Sequence, residues 1–355
     1  MTGRDMISSR QFTMLIAILT MHFSIFLMPG IILEFSRQYS WVSMCIAVLG
    51  DILMAVLLYA LGQMYPGRTL FEYPQLILGR LAGKLFALFF LYVGGIILRI
   101  FTECSLTYLL DETPFLFLLL LGITTTGYYV YKGLTVIVRL GELVAPIIFI
   151  VVPGLLLSVS PKISLANLVV VDWTWLGIFR GALIQMAMFG VCILMGVFMA
   201  FHDKPGQSFR VKVRGVIISG VLITALFLVS LGVLGEYAVA QTTFPTESLA
   251  RLIEFPIDPL ILAVLVMGGS ITISILYFAA SLGLAQTVGL ANYRWLIIPA
   301  GVMIMLEAAY LLGDNIVELK KHLSTVFPVV ALPVELGMTS FLLLAAWIKR
   351  HSYPP

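Results

Sequence analysis

Charged residues are scarce in this chain, making up 11% of its 355 residues, whereas 61% are apolar. A soluble domain is nearer half apolar and a quarter charged, so a soluble fold could not bury this much apolar surface. The basic residues form no run and do not interleave with aromatic residues, which argues against a nucleic-acid partner. The composition therefore predicts an integral membrane protein in contact with the lipid bilayer.

Cysteine is also rare, and Cys45, Cys104 and Cys192 stand singly in apolar stretches. Their spacing suits neither a disulfide nor a metal site, and the four histidines are isolated from one another. The sequence contains no phosphate-binding Gly-Lys-Ser/Thr loop, no Gly-x-Ser-x-Gly turn and no His-Glu-x-x-His motif. We therefore expect no enzyme activity, no cofactor and no metal, and we interpret the cysteines as small core residues.

Long apolar runs are abundant, and each suits a helix that crosses about 30 Å of hydrocarbon rather than a short alternating strand. Backbone groups must be hydrogen-bonded internally in the membrane, which a helix achieves. We predict an all-α membrane protein with about ten spans in a single transmembrane domain, residues 1–355. The first run has no small-residue cleavage site and is expected to be a retained span. The predicted spans are residues 11–35, 41–64, 84–110, 114–131, 136–159, 174–201, 213–235, 258–288, 293–313 and 325–348.

The basic residues are distributed unevenly between the two sides of the membrane. Most of the 21 lysines and arginines fall on the side of the N-terminus, and Lys212 is counted among them because span 7 is predicted to begin at 213. Cytoplasmic loops carry an excess of lysine and arginine. Both termini are therefore predicted to be cytoplasmic, with an even number of spans.

A short amphipathic stretch at 69–77, between spans 2 and 3, has a counterpart at 243–253, between spans 7 and 8. The two stretches lie five spans apart and on opposite sides of the membrane. Two five-helix units of inverted topology require this arrangement. We predict a first unit at 11–160 and a second at 170–348, with the first helix of each unit broken.

The predicted breaks contain helix-disrupting residues. In span 1, Pro29 removes a helical N–H and Gly30 tolerates non-helical angles; in span 6, Gly190 stands without a proline. Backbone groups freed at such breaks bind ligands in inverted-repeat transporters. The alternatives are a simple proline kink in span 1 and glycine packing in span 6.

Span 8 offers hydroxyls beside paired glycines, and these could coordinate a ligand. The alternative is that Ser270 and Ser274 bond to their own helix. The predicted ligand-binding residues are Ser24, Phe26, Met28, Pro29, Gly30, Val93, Phe189, Gly190, Val191, Ser270, Ile271, Ser274 and Ile275.

Four ionisable residues inside spans are further candidates, because charge in the membrane is costly and is often functional. Arg99 and Glu103 stand four residues apart in span 3 and can pair on one helical face, either for gating or as a structural pair. Asp51 and Glu335 have no basic neighbour within one helical turn, and their partners cannot be identified from sequence.

Taken together, these features resemble the spore germination permease family. Its members are the B subunits of nutrient germinant receptors, within the amino acid, polyamine and organocation transporter superfamily. That family commonly has Phe-Gly-Glu at the span 6 break, whereas here Phe189 and Gly190 are followed by Val191. This chain therefore lacks, at position 191, a carboxylate that a proton- or cation-linked role would use. The similar stretches are residues 7–11, 28–29, 65–73, 98–103, 111–114, 131–134, 139–142, 244–247, 277–286 and 292–294.

The resemblance implies a fold of two inverted five-helix units with broken helices 1 and 6, like that of the amino acid transporters in the superfamily. It also implies that a small nutrient, most often an amino acid, binds halfway through the membrane. The expected partners are a larger A-type membrane subunit and a C-type lipoprotein subunit, in the inner membrane of the spore.

We hypothesise that the carboxylate of an amino-acid germinant faces backbone N–H groups near Gly30, because helix N-termini favour anions. The alternatives are an ion-coupled secondary amino acid transporter and a structural subunit that binds nothing. The apolar part of the germinant would contact Phe26, Val93, Phe189, Ile271 and Ile275.

Overall fold

The computed structural model describes residues 6–108, 110–169, 173–253, 258–312 and 315–352. Within these ranges the chain is almost entirely helical, and the only β-pairing is a single bridge between Ile7 and His202. Nine helical stretches of the described residues are long and apolar enough to cross a membrane. One of them, Met28–Met64, contains the second half of span 1 and all of span 2. The described residues therefore form ten crossings, and the predicted all-α membrane fold is confirmed.

Span 1 consists of α1 and α2, spans 2 to 5 of α3, α5, α6 and α7, and span 6 of α8 and α9. Span 7 is α10, span 8 is α13, span 9 contains α14, and span 10 contains α15 and α16. The helices are α1 Ser9–Ile25, α2 Met28–Ser36, α3 Ser40–Met64, α4 Glu72–Leu78, α5 Arg80–Tyr108, α6 Phe115–Lys132, α7 Leu134–Val159, α8 Trp175–Gly190, α9 Met195–Phe198, α10 Ser208–Leu234, α11 Glu236–Gln241, α12 Pro245–Ala250, α13 Asp258–Val288, α14 Ile297–Leu306, α15 Ile316–Leu332 and α16 Thr339–Ser352.

The two largest differences from the predicted helix starts are in spans 10 and 7, and in both cases charged residues precede the predicted boundary. Span 10 begins at Ile316 rather than 325, because the Oδ1 atom of Asn315 caps the helix by accepting hydrogen bonds from two backbone N–H groups. Lys320 fits into this first part of the helix by donating to the carbonyl of Thr242 at 3.0 Å. Span 7 begins at Ser208 rather than 213, which places Lys212 inside a membrane helix and not in a loop.

The packing of the spans repeats with an offset of five. Span 1 packs on spans 5 and 7, and correspondingly span 6 packs on spans 10 and 2. Span 4 packs on span 8 as span 9 packs on span 3, and the central contact joins spans 3 and 8. The short helices α4 and α12 follow the same rule, because each packs on the span that follows it. The fold is therefore a 5+5 inverted repeat, whereas the unit bounds 11–160 and 170–348 stay a prediction.

Spans 9 and 10 contain π-helical segments that the sequence analysis did not predict. One is Glu307–Leu311 at the end of span 9, and the other is Pro333–Met338 between α15 and α16. Pro333 cannot donate the backbone hydrogen bond that a regular α-helix needs there. Segments of this kind often occur at functional sites, and each of the two contains a buried glutamate, Glu307 or Glu335.

Candidate functional site

Span 1 is interrupted at the predicted place. α1 ends at Ile25, α2 begins at Met28, and Pro29 occupies the first turn of α2, where its missing N–H is not needed. No side chain of the described residues caps the start of α2. The positive end of the α2 dipole therefore lies at the break, as the hypothesis of carboxylate binding requires.

Span 6 is distorted rather than interrupted. α8 ends at Gly190, residues Val191–Leu194 form a 3₁₀ helix, and a second 3₁₀ turn follows α9 at Met199–Phe201. The tighter winding changes the backbone hydrogen-bonding pattern from Val191 onward. The predicted break of helix 6 is thus a local rewinding that starts at the predicted glycine.

A buried hydrogen bond joins the two altered spans. The side-chain amide of Gln185 donates to the hydroxyl of Ser24 at 2.5 Å, and Ser24 in turn donates to the carbonyl of Thr20 at 3.3 Å. The other amide atom of Gln185, Oε1, is buried without a partner among the described residues. Gln185 is not among the predicted ligand-binding residues, although a lone amide in an apolar span is a recognisable signal.

Aromatic rings cover the break of span 1 on the face of the membrane opposite the N-terminus. The ring of Phe26 makes edge contacts with Phe101 at 5.0 Å and with Phe244 at 6.2 Å between centroids. Phe244 directly precedes α12, and the hydroxyl of Thr246 in α12 donates to the carbonyl of Ile25. The last turn of α1 is therefore capped by a helix from the second unit.

The N-terminal face of the membrane shows the corresponding arrangement at span 6. The backbone N–H of Leu70, just before α4, donates to the carbonyl of Gly196 at 3.0 Å. Each short connecting helix thus contacts the altered first helix of the other unit. The site is covered from both faces in this structure.

A buried ion pair lies behind span 6. The ammonium group of Lys212 in span 7 is 2.8 Å from Oδ1 of Asp51 in span 2, and both side chains are fully buried. The same ammonium donates to the carbonyl of Cys192 at 3.3 Å, in the 3₁₀ segment. Lys212 is therefore the partner that the sequence analysis could not assign to Asp51, and the prediction that it lies in a loop is wrong.

Glu335 is buried against the start of the 3₁₀ segment. Neither of its carboxyl oxygens has a hydrogen-bond partner among the described residues. A Cβ atom at Gly190 would overlap this carboxyl group, so a larger residue at that position would have to displace Glu335. Position 191 carries no carboxylate in this chain, but span 10 supplies one to the neighbouring Gly190.

The paired glycines of span 8 accommodate side chains from other spans. A Cβ atom at Gly268 would overlap the ring of His22, and one at Gly269 would overlap the ring of Phe101. Nδ1 of His22 lies 2.9 Å from the carbonyl of Ile18, whereas Nε2 is buried and unpartnered within the described part of the chain. His22 is thus a second polar group near the break of span 1 that the sequence analysis did not select.

The hydroxyls of span 8 bond within their own helix. Ser270 donates to the carbonyl of Met267 at 2.7 Å, and Ser274 donates to that of Ser270 at 2.6 Å. Ile271 packs near Gly141 of span 5. These contacts agree with the structural alternative, and a ligand-binding role for these residues stays a prediction.

The other apolar candidates are buried around the breaks. Gly30 lies in the first turn of α2, where an added Cβ atom would lie 3.1 Å from the carbonyl oxygen of Val239 and 3.4 Å from that of Thr242. The side chains that belong to the central hydrophobic core are Met28, Val93, Phe189, Val191 and Ile275.

Arg99 and Glu103 form the pair that their spacing predicted, at 2.8 Å. Arg99 also donates to the carbonyl of Ala308 at 3.0 Å, and its guanidinium group lies 4.5 Å from the ring centroid of Phe115. These contacts join spans 3, 4 and 9, which favours the structural interpretation of this pair.

A bundle of ten spans in two inverted units, with an interrupted span 1 and a rewound span 6, is a fold used by secondary transporters. The family described as spore germination protein matches residues 6–312, and the chain belongs to this family. The chain is 27% identical to spore germination protein YndE of Bacillus subtilis, over 69% of this chain and 71% of that protein. It is 24% identical to spore germination protein KB of the same organism, over 97% of this chain and 96% of that protein.

Solved transporter structures share the fold at low sequence identity. A nucleobase-cation-symport-1 family transporter, in a closed conformation with bromovinylhydantoin bound, superposes with a TM-score of 0.75 at 11% identity. That match covers 98% of this chain and 80% of the transporter. A Na⁺-coupled sialic acid symporter in a substrate-bound outward-open state gives a TM-score of 0.65 at 11% identity, over 97% of this chain and 90% of the symporter.

Proposed function

We propose that this chain is the transmembrane subunit of a spore nutrient germinant receptor, and that it binds a small germinant of the amino-acid class between spans 1 and 6. The observation that carries the proposal is the buried hydrogen bond between Gln185 and Ser24, in a member of the spore germination family. It joins the two altered helices and leaves one amide oxygen without a partner among the described residues.

The groups at the break match the chemistry of an amino acid. The uncapped start of α2 attracts a carboxylate, because the first N–H groups of a helix lack intrahelical acceptors. The Oε1 atom of Gln185 accepts a hydrogen bond from the ammonium group, which relieves a desolvation cost of roughly 1–3 kcal/mol. The buried ring of Phe189 and its apolar neighbours contact the side chain of the germinant.

The germinant signal passes through the helices that cover the breaks. Occupancy shifts the balance between two arrangements only if the germinant binds one of them more tightly. The bond from Thr246 to Ile25 couples the break of span 1 to α12, so that a change at the break reaches this helix. The partners are an A-type membrane subunit and a C-type lipoprotein subunit in the spore inner membrane, with both termini of this chain cytoplasmic.

A second candidate function is ion-coupled secondary transport of an amino acid. It is favoured by the fold shared with two symporters and by the buried carboxylates of Asp51 and Glu335 near the 3₁₀ segment. Uptake into proteoliposomes distinguishes the two functions. A transporter accumulates labelled amino acid when a proton or sodium gradient is applied, whereas a receptor that only binds its ligand does not.

The test of the receptor proposal is equilibrium binding of labelled amino acids and nucleosides to the purified receptor complex. We expect one amino acid to bind the wild type, and we expect Phe189→Ala and Gln185→Leu to lose that binding. Phe327→Ala is the matched control, because Phe327 is equally buried but lies in span 10 beside Tyr92. Binding that survives both pocket substitutions in assembled complexes would place the sensor in a partner and leave this chain as a structural subunit.

A further inference from the structure

A groove of about 500 Å³ opens towards the lipid between spans 1, 5 and 7. Its walls are mostly apolar and include Phe149, Ile217 and Ile218. Two arginines, Arg10 and Arg214, line it as well, and they lie near the N-terminal face of the membrane because α1 and α10 both begin there. The groove thus has a cationic end near the membrane surface and an apolar end deeper in the bilayer.

The cationic end carries an excess of positive charge. Arg10 lies 3.5 Å from Glu142 of span 5, and this carboxylate also accepts a hydrogen bond from Gln11 at 3.1 Å. Arg214 is exposed and, among the described residues, pairs with no carboxylate. The two guanidinium groups are therefore accompanied by one nearby carboxylate, which already contacts Arg10 and Gln11 and leaves Arg214 without a counter-charge among the described residues.

Placing the charged guanidinium group of Arg214 next to lipid is energetically unfavourable unless an anion binds it. Arg214 lies six residues into α10, about 9 Å along the helix axis, on a surface that faces the lipid. An arginine at this depth extends its head towards the phosphate layer of the membrane. Guanidinium groups bind phosphate oxygens through paired hydrogen bonds, and basic pockets between spans hold anionic head groups.

We propose that this groove binds an anionic phospholipid, with its phosphate on Arg10 and Arg214 and one acyl chain along the apolar wall towards Phe149. The charge at the cationic end selects an anionic lipid over a zwitterionic one. A choline or ethanolamine group would need an acceptor, and Glu142 is already engaged. The bound lipid would contact the interrupted span 1 together with spans 5 and 7.

The test is native mass spectrometry of the purified protein in detergent with equimolar phosphatidylglycerol and phosphatidylcholine of identical acyl chains. We expect the wild type to retain phosphatidylglycerol preferentially. The double variant Arg10→Gln/Arg214→Gln should reduce this preference by about five-fold for each arginine. Arg139→Gln/Arg210→Gln is the matched control, because both arginines are exposed near the same face but do not line the groove.

A second pair of variants tests the groove itself while both arginines remain. Ile217→Trp fills the apolar wall and should also reduce retention of phosphatidylglycerol. Val221→Trp is its control, because Val221 is 63% exposed one turn further along α10 and lies outside the groove. Equal losses in both arginine pairs would show a general surface-charge effect, and equal retention of the two lipids by the wild type would show that the site does not exist; either result overturns the proposal.

Discussion

The buried pair of Lys212 and Asp51 allows a sharp prediction about stability. Replacing Lys212 by methionine keeps most of the side-chain volume but leaves Asp51 as an uncompensated charge in the membrane. Breaking a buried pair in this way costs about 3–5 kcal/mol. The substitution also removes the hydrogen bond from the ammonium group to the carbonyl of Cys192, so we expect a loss of stability within this range.

Removing both charges should restore most of the lost stability. The double variant Asp51→Leu/Lys212→Met leaves neither charge of this pair in the interior, and well-packed apolar replacements of buried ion pairs are often neutral. The measurement is unfolding of the purified protein by a denaturing detergent, with the four corners of a double-mutant cycle. We expect a coupling free energy of about 2 kcal/mol or more.

A matched control for the lysine substitution is Lys204→Met, because Lys204 is exposed in the loop before α10. Its effect should stay within about 0.5 kcal/mol of the wild type. The reasoning would be refuted if Lys212→Met were no more destabilising than this control, or if the two single substitutions were simply additive in the double variant.

Three further predictions follow from other contacts. Gly190→Ala should abolish germinant binding because its methyl group displaces the carboxyl group of Glu335, and Gly190→Ala/Glu335→Ala should recover part of it in the same binding assay. Thr246→Val should weaken the cap on Ile25 by about 1 kcal/mol, seen as faster hydrogen exchange around the break; unchanged exchange would count against the cap. His202, outside the spans, has its pKa lowered from 6.5 because burial disfavours its charged form. The folded state therefore binds fewer protons, so stability is full above about pH 6.5 and falls below it; His202→Gln should flatten this dependence in thermal unfolding measured from pH 5 to 8.

The break of span 1 and the short helices α4 and α12 were predictable because their signals are local. A proline beside a glycine disrupts a helix wherever it occurs, and an amphipathic stretch between two apolar runs forms a surface helix. The rewinding at Gly190 was predicted only as a break, since a glycine allows a helix to be disturbed but does not determine the winding that follows.

The partner of Asp51 could not be predicted, because contacts between distant spans leave no mark in the sequence of either one. Lys212 was predicted to lie in a loop because a charged lysine is unfavourable in the membrane. In the structure the carboxylate of Asp51, on another span, compensates its charge. The π segments were missed because a proline such as Pro333 indicates a disturbed helix but does not indicate how the helix winds around it. Gln185 could have been predicted as a site residue, because it is the one amide side chain in span 6.

Each short helix, α4 or α12, contacts the altered span of the other unit, and this arrangement has a consequence for biosynthesis. The first unit leaves the ribosome first, but the hydroxyl that caps the carbonyl of Ile25 at the end of α1 belongs to Thr246 of the second unit. The newly made first unit must therefore wait in the membrane with this carbonyl uncapped until α12 has been translated. The break of span 1 therefore reaches its final structure only late in synthesis, and a chain truncated before α12 would lack the cap.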